Sequence, residues 1–474
     1  MKKAGIIPLI ALFSVLLASC KFPDPSVEET DDSEEGFFYA RYMTANAQNL
    51  PDNGFYKVKA EKLWAGAKCE IWAETDSGVT KAEAEKIARE YEGNIRPCII
   101  DAFSEKNFTY SFDDIEYSFE NMLDFANWLT GRDSGKLTIL LLDIRDGFQG
   151  ETSDSYVAGY FYSGNFAPVG DNNYYSNGRD MIYVDTNPGL KEYATQAYAT
   201  FAHELQHLVN FVTCVWLNKG LTDIWVNEGL SSYAEYLYLG EHPDDKIAWL
   251  GDRRNTISTG NNFFVWGNHS DKPLAILDDY TTAYLFFRWL YLQADAVPGL
   301  PSRIFRDIAH SGHSDYRAVT SVAALIDPSW NSWEVLLRSW LIANYFPYSS
   351  NGYTDDAELQ KALKIAPAAG NSIALYPGEG VYSIINDPYS AVNTGKIRYV
   401  QLDSDTGKVL LTFNANENNK AEHETGFLTG FSASVTASQT AAENARSGKR
   451  VRPYVVDAQD MLGRDQDKPI RVWR

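Results

Sequence analysis

The sequence predicts an α+β fold in which a mixed β-sheet precedes a helical lobe and a small β domain ends the chain. Apolar residues alternate or run continuously within residues 37–185, which is typical of strands. They then recur at helical spacing within residues 192–346, and short alternating runs return from about residue 371. With 474 residues and 45% apolar content, the chain can bury a full-sized core.

Residues 1–19 have the layout of a secretory signal. Two lysines precede an apolar run that is too short to span a membrane and that ends in the residues Leu-Ala-Ser before Cys20. This ending resembles the lipobox of bacterial lipoproteins, which implies that Cys20 is lipidated and becomes the new N-terminus. The alternative is an ordinary signal peptide with an incidental cysteine. We therefore expect a protein of the bacterial cell envelope, held by a lipid outside the cytoplasm, either at the outer surface or in the periplasm.

The next segment, residues 20–36, is acidic, contains prolines and has few apolar residues, so we expect a solvated tether. The whole chain carries a formal net charge of −21. Such an acidic surface disfavours nucleic acid and anionic lipid as partners. We expect the protein to be a monomer whose contact with the membrane is made through the lipid on Cys20.

Three cysteines follow Cys20. An oxidising compartment would permit one disulfide, and the pairing we expect is Cys69 with Cys98. The alternative is that these two residues and Cys214 are free buried thiols. Neither arrangement makes cysteine a metal ligand or a nucleophile.

The spacing of apolar residues places the secondary structure. Strands are expected within 37–75 and at Lys136–Asp143, Tyr156–Tyr162 and Asp180–Asp185. The continuous run in Lys136–Asp143 predicts a strand covered on both faces. Helices are expected at 80–104 with a stop near Pro97, at Glu192–Val215, at Asp223–Leu239 with Gly240 as its stop, at 278–294 and at 329–346.

The segment HELQH is the first indication of a metal site. Residues four apart lie on one face of a helix, so His203 and His207 can bind one ion while Glu204 lies beside them. The alternative is a helix surface with two solvated histidines. Apolar neighbours such as Phe201 and Leu205 argue against it, because a buried histidine needs a partner and a metal would be one.

A third ligand is expected from another element, since a catalytic zinc has three protein ligands and one open position. Glu228 follows His207 after enough residues to end one helix and bring a second alongside. Trp225 and Tyr233 place Glu228 on an apolar stretch, where an acidic residue is costly unless it is paired or metal-bound.

Taken together, these segments resemble a known group. HELQHLVNF followed by WVNEGLSSYAEY is similar to the gluzincin metallopeptidases, and within them to the hyicolysin family. The similarity extends from about Lys57 to Leu292 and includes KLTILLLDIRDGF and YVAGYFYSGNF. It implies a zincin-like fold, one Zn²⁺ per chain with His203, His207 and Glu228 as ligands, and Glu204 as general base. The chemistry agrees, because zinc lowers the pKa of a bound water and a carboxylate can take its proton.

Supporting residues are less sharply defined. Glu235 lies two turns after Glu228 and is expected to hydrogen-bond a metal-bound histidine, the alternative being a solvated glutamate. The resemblance implies a tyrosine that stabilises the oxyanion, for which Tyr280 is the first choice and Tyr284 the second, with core packing as the alternative. His310 and His313 are further candidates that a loop position would leave simply exposed.

We expect four parts along the chain: a lipoprotein signal peptide at 1–19, a tether at 20–36, a zincin-like catalytic domain at 37–365 and a β-rich domain at 370–474. Within the catalytic domain we expect a sheet lobe of about 37–215 and a helical lobe of about 216–365.

The predicted function is zinc-dependent hydrolysis of internal peptide bonds in extracytoplasmic peptides and unfolded proteins. An extended substrate would pair with an edge strand, for which Tyr156–Tyr162 is the choice. The chain lacks the Gly-x-Met-x-Asn segment of gluzincin aminopeptidases there, which favours endopeptidase action. Two alternatives stay open: a zinc aminopeptidase or other exopeptidase, and a non-catalytic surface-binding lipoprotein on the same fold. Retention of Glu204 argues against the latter.

Overall fold

The computed structural model describes residues 7–9, 36–44, 47–132, 134–150, 155–169, 175–251, 264, 266, 275–367, 372–385, 393, 395–404, 407–417 and 424–427. Their contacts form two compact units. The first contains the described residues up to Asp245 together with Ser302–Ala318, and the second contains Lys246–Pro301 and the described residues from Val319 onward. The domain boundaries expected from the sequence stay predictions.

Both α-helices and β-strands build the first unit, which is of mixed α+β class. Its elements up to the boundary are β1 (Ile7–Leu9), β2 (Phe37–Arg41), β3 (Phe55–Ala65), β4 (Cys69–Glu74), α1 (Lys81–Glu90), α2 (Arg96–Phe103), β5 (Lys106–Phe112), β6 (Ile115–Asn121), α3 (Met122–Leu129), β7 (Leu137–Leu142), β8 (Ser155–Val157), β9 (Gly159–Phe161), β10 (Met181–Asp185), α4 (Ala194–Trp216) and α5 (Ile224–Leu239).

The later elements are mostly helices followed by strands. They are α6 (Asp244–Gly251), α7 (Ala275–Ala294), α8 (Ile304–Ala309), α9 (Tyr316–Ala323), α10 (Trp333–Tyr345), α11 (Ala357–Ala362), β11 (Ser372–Leu375), β12 (Gly380–Ile385), β13 (Ile397–Ser404), β14 (Gly407–Asn414) and β15 (Glu424–Phe427). Of these, α8 belongs to the first unit.

A six-stranded mixed sheet with the order β2-β3-β4-β7-β10-β9 organises the first unit. The three strands β4, β7 and β10 are parallel, whereas β9 runs antiparallel to β10 at the end of the sheet. Every residue of β7 is buried, as the continuous apolar run in that segment predicted. The expected strand Tyr156–Tyr162 is divided at Ala158: β9 joins the main sheet, and β8 pairs in parallel with β1. A separate hairpin is formed by β5 and β6.

The expected helix stop near Pro97 is wrong. Helix α1 continues through a π-helical turn at Tyr91–Ile95 directly into α2, which ends at Phe103. Pro97 is in the first turn of α2, where its fixed φ is compatible with a helix. The helical segment therefore passes through this proline and does not end at it.

The expected disulfide between Cys69 and Cys98 is wrong, since both residues and Cys214 are free thiols. Cys69 is buried at the start of β4, and its thiol faces the Glu92 carboxylate with a sulfur–oxygen distance of 3.8 Å. Burial raises the pKa of the Cys69 thiol, and the charge of Glu92 raises it further. Cys69 therefore remains a neutral thiol in the core.

Helices α4 and α5 carry many fully buried polar residues. Almost all of α4 from Ala197 to Val215 is buried, and α5 is buried from Trp225 to Glu235. An amide contact ties the two helices, with Asn210 Nδ2 donating to Asn227 Oδ1 at 2.6 Å. Helix α5 ends at Gly240, whose φ of 71° is the left-handed conformation that glycine adopts without strain, as the sequence predicted.

The second unit contains an antiparallel sheet of order β12-β14-β13 and a pairing of β11 with β15. A buried ion pair joins Arg288 Nε of α7 to Asp356 Oδ2 at 2.7 Å. The hydroxyl of Tyr382 in β12 donates to the Leu341 carbonyl of α10 at 2.7 Å, so helices and strands pack together within this unit. In the part of the chain that the structure describes, no helix has the length and apolar character needed to cross a membrane.

A buried lysine holds the returning segment of the first unit in place. The ammonium of Lys219 donates to the carbonyl oxygens of Ala309, Ser311 and His313 at 2.8, 2.7 and 3.2 Å. Burial lowers the pKa of Lys219, but these three acceptors compensate the charge. The loop after α4 is thereby tied to the segment after α8.

We expect Lys219→Met to lower the free energy of unfolding by about 2–4 kcal/mol, because three carbonyl oxygens lose their buried donor. Urea denaturation followed by circular dichroism measures the change. The exposed Lys81→Met is the control and should change stability by less than about 0.5 kcal/mol. Equal midpoints for the two variants would contradict a stabilising role for the Lys219 ammonium.

Candidate metal and catalytic site

Three buried side chains converge between α4 and α5. The Nε2 atoms of His203 and His207 lie 3.3 and 3.4 Å from the same oxygen, Oε2 of Glu228. The two imidazole rings are one helical turn apart on α4, with ring centroids separated by 4.6 Å. Glu228 comes from the first half of α5, where all its neighbours are buried. The structure thus brings together the three residues that the sequence singled out as ligands.

These atoms lack the partners that buried polar groups normally have. His203 Nε2, His207 Nε2 and both oxygens of Glu228 are buried without a hydrogen bond. Leaving such groups unpaired is costly, and so a cluster of them indicates a missing partner. In the described part of the chain, this is the group of His, Cys, Asp and Glu residues whose donor atoms are close enough for one metal ion. The donor set therefore fits a divalent cation.

The other nitrogen of each imidazole has a partner. His203 Nδ1 lies 2.7 Å from Oε1 of Glu235, and His207 Nδ1 lies 2.9 Å from the hydroxyl of Ser231. The Ser231 hydroxyl also donates to Oε1 of Gln206. Glu235 is largely buried and was proposed from the sequence for this position, whereas Ser231 and Gln206 were not. The signal available for Ser231 was its spacing, three residues after Glu228 on the same helix face.

A second carboxylate, that of Glu204, lies buried beside this cluster. Burial raises its pKa to about 8; the charge of His203 opposes the rise, and the carboxylates of Glu228 and Glu235 add to it. Neither oxygen of Glu204 makes a close hydrogen bond, although the backbone N–H of Phe161 opposes the rise in its pKa. A divalent cation bound nearby would lower this pKa again, because it favours the ionised carboxylate. Glu204 is then available to exchange a proton.

The electrostatics of the cluster favour a bound cation. Burial alone lowers the pKa of His203, but the carboxylates of Glu228 and Glu235 outweigh burial and raise it to about 10. The pKa of His207 stays lowered, with burial as its main cause. Three carboxylates surround two imidazoles, which gives the site an excess of negative charge that a proton or a metal ion can neutralise.

The end strand of the sheet approaches Glu204 closely because β9 begins with a glycine. A Cβ atom at Gly159 would lie 2.7 Å from Cγ2 of Thr200 and 2.8 Å from the carbonyl oxygen of Tyr183. It would also lie 3.4 Å from Cγ of Glu204. Only a residue without a side chain lets β9 pack this tightly on α4.

The sequence offered three further candidates, Tyr280, Tyr284 and Cys20. Tyr280 and Tyr284 are buried in α7 of the second unit, where the Tyr280 ring contacts Trp266 edge-on with centroids 5.0 Å apart. Their expected role in oxyanion stabilisation stays a prediction. Cys20 lies outside the described residues, and its lipidation is likewise a prediction.

Two histidines near the surface differ in their surroundings. The expectation that a loop position leaves His310 simply exposed is wrong, because its side chain is only 11% exposed and its Nδ1 lies 3.1 Å from Oε2 of Glu105. Burial lowers the pKa of His310 to about 4, and Glu105 partly opposes this shift. His313 is exposed. Both belong to the same unit as the cluster, but neither is among its metal-ligand group.

Comparison with known proteins gives one informative match. No protein-family model matches the chain. A neutral metalloprotease, ShpI, from Staphylococcus hyicus is 25% identical over 279 residues, which is 57% of this chain and 56% of the relative. The chain thus spans little more than half the length of the curated relative it matches. The name of this relative describes a metal-dependent protease.

We expect Gly159→Ala to lower the free energy of unfolding by about 1–3 kcal/mol, because the new methyl group would collide with a backbone carbonyl that cannot move independently. Thermal and urea denaturation measure the effect. Gly93→Ala is the matched control: Gly93 lies in a helical turn, and a Cβ there would meet nothing within 4 Å. This control should be neutral or stabilising. A Gly159→Ala protein as stable as wild type would show that the close packing is unimportant.

Proposed function

We propose that the protein is a zinc-dependent endopeptidase. The observation that carries the proposal is the convergence of unpartnered Nε2 and carboxylate atoms from His203, His207 and Glu228, with the buried Glu204 beside them. The name of the relative from Staphylococcus hyicus supports a metal-dependent protease in general. Two histidines and one glutamate are a donor set that catalytic zinc uses in peptidases, with the fourth position left open.

The spacing of the donor atoms is compatible with tetrahedral zinc. Two ligand atoms at about 2.0–2.1 Å from a tetrahedral ion are about 3.3 Å apart, by simple trigonometry on the zinc–ligand distance. The Nε2 to Oε2 distances of 3.3 and 3.4 Å match this edge length. Calcium and magnesium prefer all-oxygen sites, which makes two imidazoles a poor site for either ion.

The residues of the chain have distinct roles in the proposed reaction. When bound, zinc lowers the pKa of a water molecule and polarises the peptide carbonyl. Glu204 accepts the proton of the attacking water at its carboxylate and then donates it to the leaving amine nitrogen. Glu235 holds the Nδ1–H of His203 and so keeps its Nε2 lone pair directed at the ion. The buried surroundings strengthen each of these interactions, since water is excluded.

An extended substrate would bind along β9. This strand is at the end of the sheet in the described part of the chain, its three residues are buried, and Gly159 brings it against Glu204. Backbone pairing with an end strand binds a peptide largely independently of its sequence. It also holds a peptide in mid-chain, which favours endopeptidase over exopeptidase action. Unfolded proteins and flexible peptides are therefore the substrate class that we propose.

The cellular setting is part of the proposal. The signal-like residues 1–19 and the lipobox-like ending at Cys20 support a lipoprotein of the bacterial cell envelope, acting on peptides outside the cytoplasm. The acidic tether of residues 20–36 would separate the enzyme from the membrane surface. We propose a monomer that does not bind nucleic acid, in keeping with the net charge of −21.

We expect Glu204→Gln to reduce kcat for an unfolded protein substrate by about 10²–10⁴-fold, because the amide cannot accept the proton of the attacking water. Metal analysis should find about one zinc per chain in both wild type and variant, since Glu204 is not a ligand. The exposed Glu192→Gln, just before α4, is the control and should keep full activity. Equal activity of wild type and Glu204→Gln would overturn the mechanism.

A second experiment separates endopeptidase from exopeptidase action. We expect a peptide with an acetylated N-terminus and an amidated C-terminus to be cleaved internally at a rate similar to that of the free peptide, because pairing along β9 does not use the termini. Mass spectrometry of the products identifies the cleaved bonds. Cleavage that requires a free terminus would replace the proposal by the exopeptidase alternative. Zinc binding without cleavage of either peptide would favour the non-catalytic binding protein.

A further inference from the structure

The hydrogen bond at Nδ1 of His207 differs in kind from the hydrogen bond at Nδ1 of His203. His203 is held by the carboxylate of Glu235, but His207 is held by a hydroxyl that in turn contacts an amide. We infer that Ser231 and Gln206 form a neutral relay that fixes the ring proton of His207 on Nδ1 and thereby directs its Nε2 lone pair to the metal. This inference rests on the proposed metal site and adds two positioning residues to it.

The direction of the hydrogen bonds follows from the chemistry of each group. The hydroxyl of Ser231 has one proton, which it donates to Oε1 of Gln206, an atom that can only accept. The hydroxyl oxygen is then free to accept, and the atom facing it at 2.9 Å is Nδ1 of His207. Nδ1 therefore carries the ring proton. A neutral imidazole protonated on Nδ1 has its lone pair on Nε2, the atom that faces Glu228 at 3.4 Å.

The opposite direction would not fix the tautomer that a metal ligand needs. If the amide group of Gln206 were reversed, its nitrogen would donate to the Ser231 oxygen, and the serine proton would be released and could be donated to His207 Nδ1. In that arrangement the ring proton would lie on Nε2, and no lone pair would remain for the ion. The orientation in which Nε2 of Gln206 has no partner is therefore the one that fixes the tautomer for a metal.

A neutral relay has a physical advantage at this position. Glu204, Glu228 and Glu235 already place three carboxylates around the two imidazoles. A fourth carboxylate behind His207 would add repulsion in a buried site and could take the Nδ1 proton for itself. A hydroxyl backed by an amide oxygen orients the ring without adding charge. Gln206 occupies one of the two variable positions of the HELQH segment, and the relay gives this position a specific role.

The neighbouring serine provides a matched control. Ser232 is fully buried on the same helix, but its hydroxyl has no hydrogen-bond partner. Replacing either serine by alanine removes one buried oxygen and changes the packing volume equally. The two variants therefore differ in the hydrogen bond to His207 and not in the size of the change.

The first test measures zinc affinity by competition with a chromophoric chelator at one neutral pH, with metal-free wild type, Ser231→Ala, Ser231→Thr and Ser232→Ala. We expect Ser231→Ala to bind zinc about 10–100-fold more weakly, the usual effect of losing a partner of a metal-bound histidine. Ser231→Thr, which keeps the hydroxyl, and Ser232→Ala should bind as wild type does. Equal affinity of Ser231→Ala and Ser232→Ala would overturn the relay, whereas a wild type that binds no zinc would overturn the proposed function itself.

The second test addresses the direction of the hydrogen bonds, and its first comparison, Gln206→Met with wild type, does not need Ser231→Ala to fold. Gln206→Met removes the acceptor, so the serine proton can turn to Nδ1 and favour the wrong tautomer. We expect a loss of zinc affinity at least as large as that of Ser231→Ala, and a double variant no weaker than Ser231→Ala alone, because the two residues act as one unit. The absorption spectrum of the cobalt-substituted protein reports the change in the His207 ligand without any turnover. Additive losses, or an unchanged Gln206→Met, would contradict the relay.

Discussion

The burial of Glu228 between two helices is the constraint on which the rest of this structure depends. An ionised carboxylate in the core costs several kcal/mol unless opposite charge or hydrogen bonds compensate it. Here Glu228 has the Nε2 atoms of His203 and His207 within 3.4 Å, and yet no hydrogen bond satisfies its oxygens. A divalent ion at the meeting point of these atoms would compensate all three ligands at once. The proposed metal would therefore stabilise the packing of α4 on α5 as well as act in catalysis.

The sheet serves this site by fixing the position of α4 and by supplying the strand that would bind substrate. Strand β7 is covered on both faces, so the sheet is part of the core and gives α4 a rigid support. Because Gly159 has no side chain, β9 packs closely on α4, and the end of the sheet lies against Glu204. Glu204, the proposed general base, and β9, the proposed substrate strand, are thus positioned by one packing contact. A reaction that needs both within hydrogen-bond reach depends on this contact.

The two histidines are held differently, and the difference matters for charge. Glu235 raises the basicity of His203, whereas the Ser231 and Gln206 contact orients His207 without further negative charge. The site keeps enough negative charge to attract a cation but avoids a fourth buried carboxylate. Gln206, between Leu205 and His207, contributes to this neutral contact through the Ser231 hydroxyl.

The sequence by itself determined the elements that depend on local patterns. The spacing of His203 and His207 placed both residues on one helix face, and the apolar stretch around Glu228 predicted its burial. Gly240 predicted the end of α5. These predictions were possible because helical periodicity and capping are properties of a short segment. The helix stop expected at Pro97 failed for a local reason that the pattern does not contain, namely that a π-helical turn precedes the proline. Tertiary structure alone decided that Cys69 faces Glu92 instead of Cys98, that Ser231 reaches His207, and that Gly159 lies against Glu204. Each of these contacts joins residues that are distant in the chain or on different elements. Their distances depend on how whole helices and strands pack, and a linear pattern carries no information about that packing.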